Sequence, residues 1–144
     1  MRSHWKPLRV ARASPMKRFP IGGCETWREP GRGEHAVVEL LEHAQQILLP
    51  LVVLAELRAG FAVGSRGARN EGGLRRFLLR AGVSLLFPDE QTTHHYAAVF
   101  RQLRQQRTPI PTNDMWIAAL VIQHGLVLCT RDTHFDHLPQ IPRA

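Results

Sequence analysis

The chain has 144 residues, of which 44% are hydrophobic, and this length suits one domain with a buried core. The longest apolar run, residues 47–55, covers about half of a membrane span and contains Pro50, so no transmembrane helix is expected. The two cysteines, Cys24 and Cys129, have no paired spacing. They therefore argue against a structural zinc site and favour a reduced, cytoplasmic protein.

The net charge of +7 is unevenly distributed along the chain. Residues 1–33 contain eight Lys and Arg against two Glu, whereas the remaining 111 residues contain eleven Arg against ten acids. Arginines are nevertheless dense in residues 58–80 and 101–107. At this density they suit contacts with phosphate, although a solvated helix face explains the same pattern equally well.

The first 33 residues show no regular hydrophobic period. They contain three prolines before residue 21, followed by Gly22-Gly23, which is poor material for a helix or a strand. We predict that residues 1–15 are a disordered basic extension and that residues 16–144 form the domain, with an atypical start over residues 16–33.

Beyond this segment, predicted helices and strands alternate. An amphipathic helix covers residues 36–44 and a short buried strand covers residues 47–49. Pro50 is well placed to start a helix that carries Glu56. Residues 64–73 are rich in Gly, Arg and Ser, and we predict a loop there.

The alternation continues in the second half of the chain. A short helix over residues 74–80 and a strand over residues 83–87 precede Asp89, which is expected to cap a long helix. The inner face of this helix is predicted to hold Tyr96, Val99, Phe100 and Leu103. Strands that alternate with helices in this way predict an α/β fold with a parallel sheet and helices on both faces.

Two carboxylates are expected to meet at the carboxyl edge of this sheet. Asp114 lies at the start of a helix that Gly125 caps, and Asp132 follows an apolar strand over residues 126–130. Ligands of open parallel sheets bind outside the carboxyl ends of the strands. Each acid also has a plainer role, because Asp114 favours the helix dipole and Asp132 is suited to open a turn.

A third acid, Glu56, lies in the most apolar stretch of the chain. A buried carboxylate is costly unless it meets a cation, a hydrogen-bond donor or a metal. Arg58 is only two residues away and does not face Glu56 on a helix. We therefore expect a partner that is distant in sequence, unless Glu56 lies at a helix edge and reaches water.

The histidines and tryptophans give weaker signals. The neighbours His94 and His95 point about 100° apart on a helix, which does not suit a shared metal. His134 with Asp136 and His137 is a further conceivable transition-metal site, but surface or capping roles are the prediction for all four histidines. Trp116 is predicted to pack between helices rather than to stack on a base.

Residues 49–60, 113–119 and 126–135 together resemble the PIN domain, and within it the VapC-type toxins of bacterial toxin–antitoxin pairs. The order and spacing of the three segments carry the resemblance, which spans residues 34–142. It implies a three-layer α/β/α fold with a central parallel sheet. It also implies a Mg²⁺- or Mn²⁺-dependent endoribonuclease that cleaves structured RNA such as tRNA through a metal-activated water.

The resemblance also assigns roles to individual residues. The implied metal-binding and catalytic residues are Glu56, Asp114 and Asp132, with Asp136 as an additional ligand and with Thr130 and Asn113 in support. Candidates for contact with RNA are Arg58, Arg66, Arg69, Arg75, Arg76 and Arg131. The implied partners are RNA, a cognate antitoxin and a second copy of the chain in a homodimer, without association with a membrane.

The sequence departs from the family pattern at its first strand. PIN domains open with a strand that ends in an acid, commonly Asp-Thr-Asn, whereas residues 22–27 here read Gly-Gly-Cys-Glu-Thr-Trp. The first metal-binding Asp is missing, and Glu25 replaces it only if the strand is shifted. The alternative is a catalytically impaired remnant that binds RNA or an antitoxin without cleavage. A different α/β enzyme such as a phosphatase would need an acid pair after its first strand, and none is visible.

Overall fold

The structure, a computed structural model, describes residues 46–130 and 132–143 and, for its backbone alone, the strand Val10–Ala13. The predicted helix over residues 36–44 lies outside these ranges, as do Glu25 and Arg131. The strands are β1 (Val10–Ala13), β2 (Ile47–Pro50), β3 (Val83–Leu86) and β4 (Leu126–Cys129). The helices are α1 (Leu51–Val63), α2 (Gly67–Leu78), α3 (Glu90–Gln106) and α4 (Thr112–Gln123), followed by a 3₁₀ helix (Thr133–His137).

The four strands form one sheet in the order β3-β2-β1-β4. β2 and β3 are parallel, with Leu49 opposite Leu85. β1 is antiparallel to both of its neighbours. Because β2 and β4 both oppose β1, they run in the same direction as β3, and their carboxyl ends lie at one edge. With helices flanking these parallel strands, the predicted three-layer α/β/α fold is confirmed.

The first strand lies inside residues 1–15, the predicted extension. Its four residues pair with β4 from Val10 opposite Cys129 to Ala13 opposite Leu126. Without a strand at this position, β2 and β4 would both present backbone N–H and C=O groups without ladder partners in the middle of the domain. The sequence of β1 has no apolar run to announce this role, since the strand reads Val-Ala-Arg-Ala.

Helix α4 is the central element of the core. Its buried residues are Asp114, Met115, Ile117, Ala118, Ala119, Leu120 and Val121. A helix that is apolar on nearly all sides is typical of a core position. It packs against α3, α1 and β4. The first turn of this buried helix contains Asp114.

Asp89 caps α3, as predicted, and the cap also joins two helices. Oδ1 of Asp89 accepts hydrogen bonds from the Thr92 backbone N–H at 3.0 Å and from Nε2 of Gln123 at 2.8 Å. In return, the Thr92 hydroxyl accepts the backbone N–H of Asp89 at 2.9 Å. This capping box fixes the start of α3 against the end of α4. The rings of Tyr96 and Trp116, 4.6 Å apart, join the same two helices, in agreement with the packing role predicted for Trp116.

The predicted loop over residues 64–73 is wrong, because most of it is helical. Helix α2 begins at Gly67 and runs to Leu78, and Leu74 and Phe77 are buried on its inner face. Burial of these two side chains outweighs the low helix propensity of the glycines. Gly67 is also required for packing, since a Cβ atom there would lie 2.4 Å from the carbonyl oxygen of Phe61 in α1.

Smaller differences concern the ends and faces of elements. Phe100, predicted on the inner face of α3, is 47% exposed, whereas Val99 and Leu103 are buried. Gly125 follows the C-cap residue His124 and adopts a positive φ of 59°, which a glycine accommodates easily. None of the described helices is both long enough and apolar enough to cross a membrane.

The cap of α3 gives a pH-dependent prediction. Hydrogen bonds from the Gln123 amide and then from the Thr92 backbone lower the pKa of Asp89 below its ordinary value. A carboxyl group with a lowered pKa stabilises the fold above its unfolded pKa of about 3.9, and this contribution is lost as pH falls through the folded pKa. The free energy of unfolding in urea should therefore differ most between the wild-type chain and Asp89→Asn near neutral pH. A difference of the same size at a pH below the pKa of Asp89 would show that the charge of Asp89 does not contribute to stability.

The crossing of α1 and α2 gives a second prediction, with a matched control. Gly67→Ala should lower the free energy of unfolding by about 1–3 kcal/mol, because the added methyl group meets backbone that must move. Gly72→Ala, in the same helix, meets nothing nearer than the Arg76 guanidinium at 3.8 Å. It should instead raise stability by about 0.5–1 kcal/mol. Urea denaturation of both variants measures the two changes in the free energy of unfolding. Changes of equal size and sign would contradict the prediction.

Candidate metal centre

Asp114 is a fully buried carboxylate at the start of α4. It is the third residue of the helix, and its backbone N–H donates to the carbonyl of Pro111 at 3.0 Å. The positive end of the helix macrodipole favours a carboxylate in this first turn. Burial of a charge nevertheless remains costly unless a positive group lies close by.

Asp132 reaches the same place from the end of β4. Its backbone N–H donates to the hydroxyl of Thr130 at 3.1 Å, and its Oδ1 accepts the backbone N–H of His134 at 2.9 Å. Thr130 is 5% exposed. Asp132 thus caps the start of the 3₁₀ helix, as its simpler predicted role required. Its carboxylate also lies beside Nδ1 of His134, as does that of a neighbouring acid, Asp114.

The ring of His134 lies between the two acids. Its Nδ1 atom is 2.9 Å from Oδ2 of Asp114 and 2.8 Å from Oδ1 of Asp132. Neither approach has the alignment of a hydrogen bond, and Nδ1 is shielded from solvent although 40% of the side chain is exposed. One ligand atom from each of the three residues falls within 4.8 Å of the others, so the group has the spacing of a metal site.

The sequence interpretation did not place His134 beside Asp114 and Asp132. A surface or capping role was the expectation for it, because histidines without a paired spacing are common at surfaces. The available signal was its position two residues after Asp132, where a turn opened by that carboxylate folds the chain back.

Glu56 is connected to this group through Asn113. Nδ2 of Asn113 donates to Oε1 of Glu56 at 3.0 Å, across 57 positions of sequence. The expected distant partner of Glu56 is therefore found, and it is the residue directly before Asp114. This hydrogen bond fastens the middle of α1 to the first turn of α4.

Asp136 is placed differently from the other candidate ligands. Its carboxylate pairs with the guanidinium of Arg143 at 2.5 Å and is half exposed. It is not a member of the group formed by Asp114, Asp132 and His134.

The candidate RNA-binding arginines lie mainly on α2. Arg58 of α1 is held by Glu71 of α2, with contacts of 2.8 to 3.3 Å from its Nε and Nη2 atoms. This pairing raises the pKa of Arg58 and lowers that of Glu71 through the hydrogen bond between them. The pair is exposed to solvent and adds little to stability. The exposed arginines of the α2 segment are Arg66, Arg69, Arg75 and Arg76.

Comparison with known proteins places the chain in a family. The model of the PIN domain family matches residues 29–141. The chain is 30% identical over 91 residues to Ribonuclease VapC4 of Mycobacterium tuberculosis, covering 63% of this chain and 70% of that protein. It is 34% identical over 88 residues to Ribonuclease VapC1 of Haemophilus influenzae, covering 60% of this chain and 63% of that protein.

A solved structure agrees with these matches. The fold superposes on VapBC2 from Rickettsia felis, solved with a DNA fragment from its promoter, with a TM-score of 0.67 and 25% identity. The superposition covers 76% of this chain and 82% of that one. The chain therefore belongs to the PIN domain family, in which its relatives are of the VapC type.

Proposed function

We propose that the chain is an endoribonuclease of a toxin–antitoxin pair that uses Mg²⁺ or Mn²⁺ to hydrolyse structured RNA such as tRNA. The observation that carries the proposal is the meeting of a fully buried Asp114 with Asp132 and His134 at the carboxyl edge of the sheet. VapC relatives that are named ribonucleases support the nuclease class.

The donor set fits a divalent ion. Two carboxylates supply the oxygen ligands that hard divalent cations prefer, and a few such ligands with substrate phosphate complete the shell of Mg²⁺ or Mn²⁺. The Nδ1 atom of His134, shielded from water and without a hydrogen bond among the described residues, adds a nitrogen donor at the same point. When bound, such an ion supplies an activated water and stabilises the charge that develops at phosphorus.

The protein side chains divide the remaining tasks. Asp114, at the start of α4, and Asp132, after β4, would both bind the ion. The Thr130 hydroxyl accepts the backbone N–H of Asp132 and so fixes the position of that residue. Asn113 orients Glu56 by donating to one of its two oxygens, and Glu56 is proposed to bind the ion, or a water on it, through its other oxygen. Supporting hydrogen bonds of this kind hold ligands in position before the substrate arrives.

The arginines of α2 are the proposed contacts for the RNA backbone. Arg66, Arg69, Arg75 and Arg76 are exposed and present planar forks suited to phosphate. Arg58 would join them only by exchanging Glu71 for phosphate, because it is already engaged by that carboxylate. Contacts of this type position RNA without reading its sequence.

A cognate antitoxin and a second copy of the chain are the proposed protein partners. Similarity to VapBC2, a complex solved with promoter DNA, supports the antitoxin. The homodimer and the cytoplasmic location remain predictions from the sequence.

A second candidate function is an impaired PIN domain that binds RNA or an antitoxin without cleavage. It is favoured by one observation, the Gly22-Gly23 pair at the place where the family carries its first acid. Loss of one of four carboxylates would weaken the hold on the ion while the remaining ligands stay in place.

The test is cleavage of a pool of tRNA and other structured RNA by the purified chain with Mn²⁺ or Mg²⁺. Asp114→Asn and addition of EDTA should each reduce cleavage by about 100-fold or more, because a catalytic ion contributes several kcal/mol to the transition state. Glu90→Gln serves as the matched control, since it removes an exposed carboxylate from the first turn of a different helix, α3.

The outcomes separate the two candidates. Cleavage that survives both EDTA and Asp114→Asn would contradict the metal-dependent nuclease. A wild-type chain that binds Mn²⁺ and is folded, yet leaves RNA intact, would favour the impaired domain.

A further inference from the structure

We infer that His134 is a direct nitrogen ligand of the divalent-metal site, and that the site therefore holds a first-row transition ion such as Mn²⁺ in preference to Mg²⁺. This inference rests on the proposed function, because it assumes an ion at Asp114 and Asp132. It adds a ligand and an ion preference that the three candidate acids do not give.

The position of the ring carries the first step. Nδ1 of His134 is within 3 Å of one carboxylate oxygen from each acid, at 2.9 Å from Asp114 and 2.8 Å from Asp132. A nitrogen that bridged the acids as a donor would align its N–H with at least one of the oxygens. Neither contact is aligned in this way, and water does not reach the atom. The three atoms lie within 4.8 Å of one another, a spacing that one ion can bridge.

The backbone around His134 fixes the ring at this place. Its own N–H donates to Oδ1 of Asp132, and the N–H of Asp132 donates to the Thr130 hydroxyl. His134 is the second residue of the 3₁₀ helix that begins at Thr133, and the next residue, the buried Phe135, anchors this helix in the core. His134 and Asp132 are therefore presented as one rigid unit opposite Asp114.

The chemistry of the donors gives the preference. Mg²⁺ takes almost only oxygen ligands and keeps several waters, so an imidazole gains it little. First-row transition ions accept imidazole nitrogen, and their affinity for mixed nitrogen and oxygen sites rises from Mn²⁺ onward. A site with two carboxylates and one imidazole should thus discriminate against Mg²⁺ to a degree that a site of carboxylates alone does not.

The test uses Mn²⁺ and Mg²⁺ as probes of the full chain in the absence of RNA. Titration calorimetry should give an affinity for Mn²⁺ about tenfold or more above that for Mg²⁺. His134→Ala should weaken Mn²⁺ binding by about 10–100-fold and leave Mg²⁺ binding nearly unchanged. Pulsed electron paramagnetic resonance of bound Mn²⁺ should show modulation from a coordinated ¹⁴N nucleus in the wild-type chain and none in His134→Ala.

His137→Ala is the matched control, because His137 lies exposed at the end of the same 3₁₀ helix. It should retain the ¹⁴N modulation and both affinities. Urea unfolding of both variants in EDTA identifies any general loss of fold, and His134→Asn provides a second, similarly sized replacement if the alanine variant is unstable.

The results that overturn the inference differ from those that overturn the proposed function. Mn²⁺ bound by the wild-type chain without ¹⁴N modulation would remove His134 from the ligands, even if RNA cleavage remains metal-dependent. Tighter Mn²⁺ binding by His134→Ala would show that the ring occupies the place of the ion and competes with it. Metal-independent cleavage would instead refute the proposed function itself.

Discussion

The site is organised around the burial of one carboxylate. Asp114 has no exposed surface, yet it opens a helix whose other buried residues are apolar. Helix α4 must lie in the core to cover the sheet, and this brings its first turn, together with Asp114, to the carboxyl edge of the parallel strands. The helix dipole favours the charge there, but burial demands a positive group as well. The ring of His134, 2.9 Å from Oδ2 of Asp114, and the carboxylate of Asp132 lie beside this charge.

Two connections position the other members of the site relative to Asp114. On one side, Asn113 binds Glu56 and so fixes α1, the helix that follows β2. On the other side, Thr130 binds the backbone of Asp132 directly after β4. Both strands run in the same direction, so their carboxyl ends deliver these residues to one edge. The common direction of these strands thus brings residues that are distant in sequence to one edge of the sheet, and hydrogen bonds of Asn113 and Thr130 fix Glu56 and the Asp132 backbone there.

The sequence indicated those elements in which local chemistry and packing favour the same conformation. Asp89 caps α3 and Pro50 directly precedes α1, as expected, because both features depend on residues only a few positions apart. The prediction failed at α2, where Leu74 and Phe77 gain enough from burial to make a Gly-rich segment helical. It also gave no warning of β1, whose role is set by the backbone groups of β2 and β4 rather than by its own side chains.

The same distinction applies to the site. The proximity of Asp114 and Asp132 could be predicted from the sequence, because the direction of a strand and the start of a helix determine where they lie. The place of His134 was indicated only indirectly, by the turn that Asp132 was suited to open, because the ring reaches the acids only once Asp132 accepts the backbone N–H of His134. Asp136 follows within the same 3₁₀ helix but pairs with Arg143 near the chain end, a contact that the order of residues does not announce.

The central proposal, that the buried Asp114 helps to bind a divalent cation, is tested most directly by thermal unfolding with increasing Mn²⁺. An ion that binds only the folded chain raises the unfolding temperature in proportion to the logarithm of its concentration above Kd. We expect this rise for the wild-type chain, its reversal by EDTA, and its absence in Asp114→Asn. An unfolding temperature that does not respond to Mn²⁺, or that responds equally in Asp114→Asn, would contradict the claim.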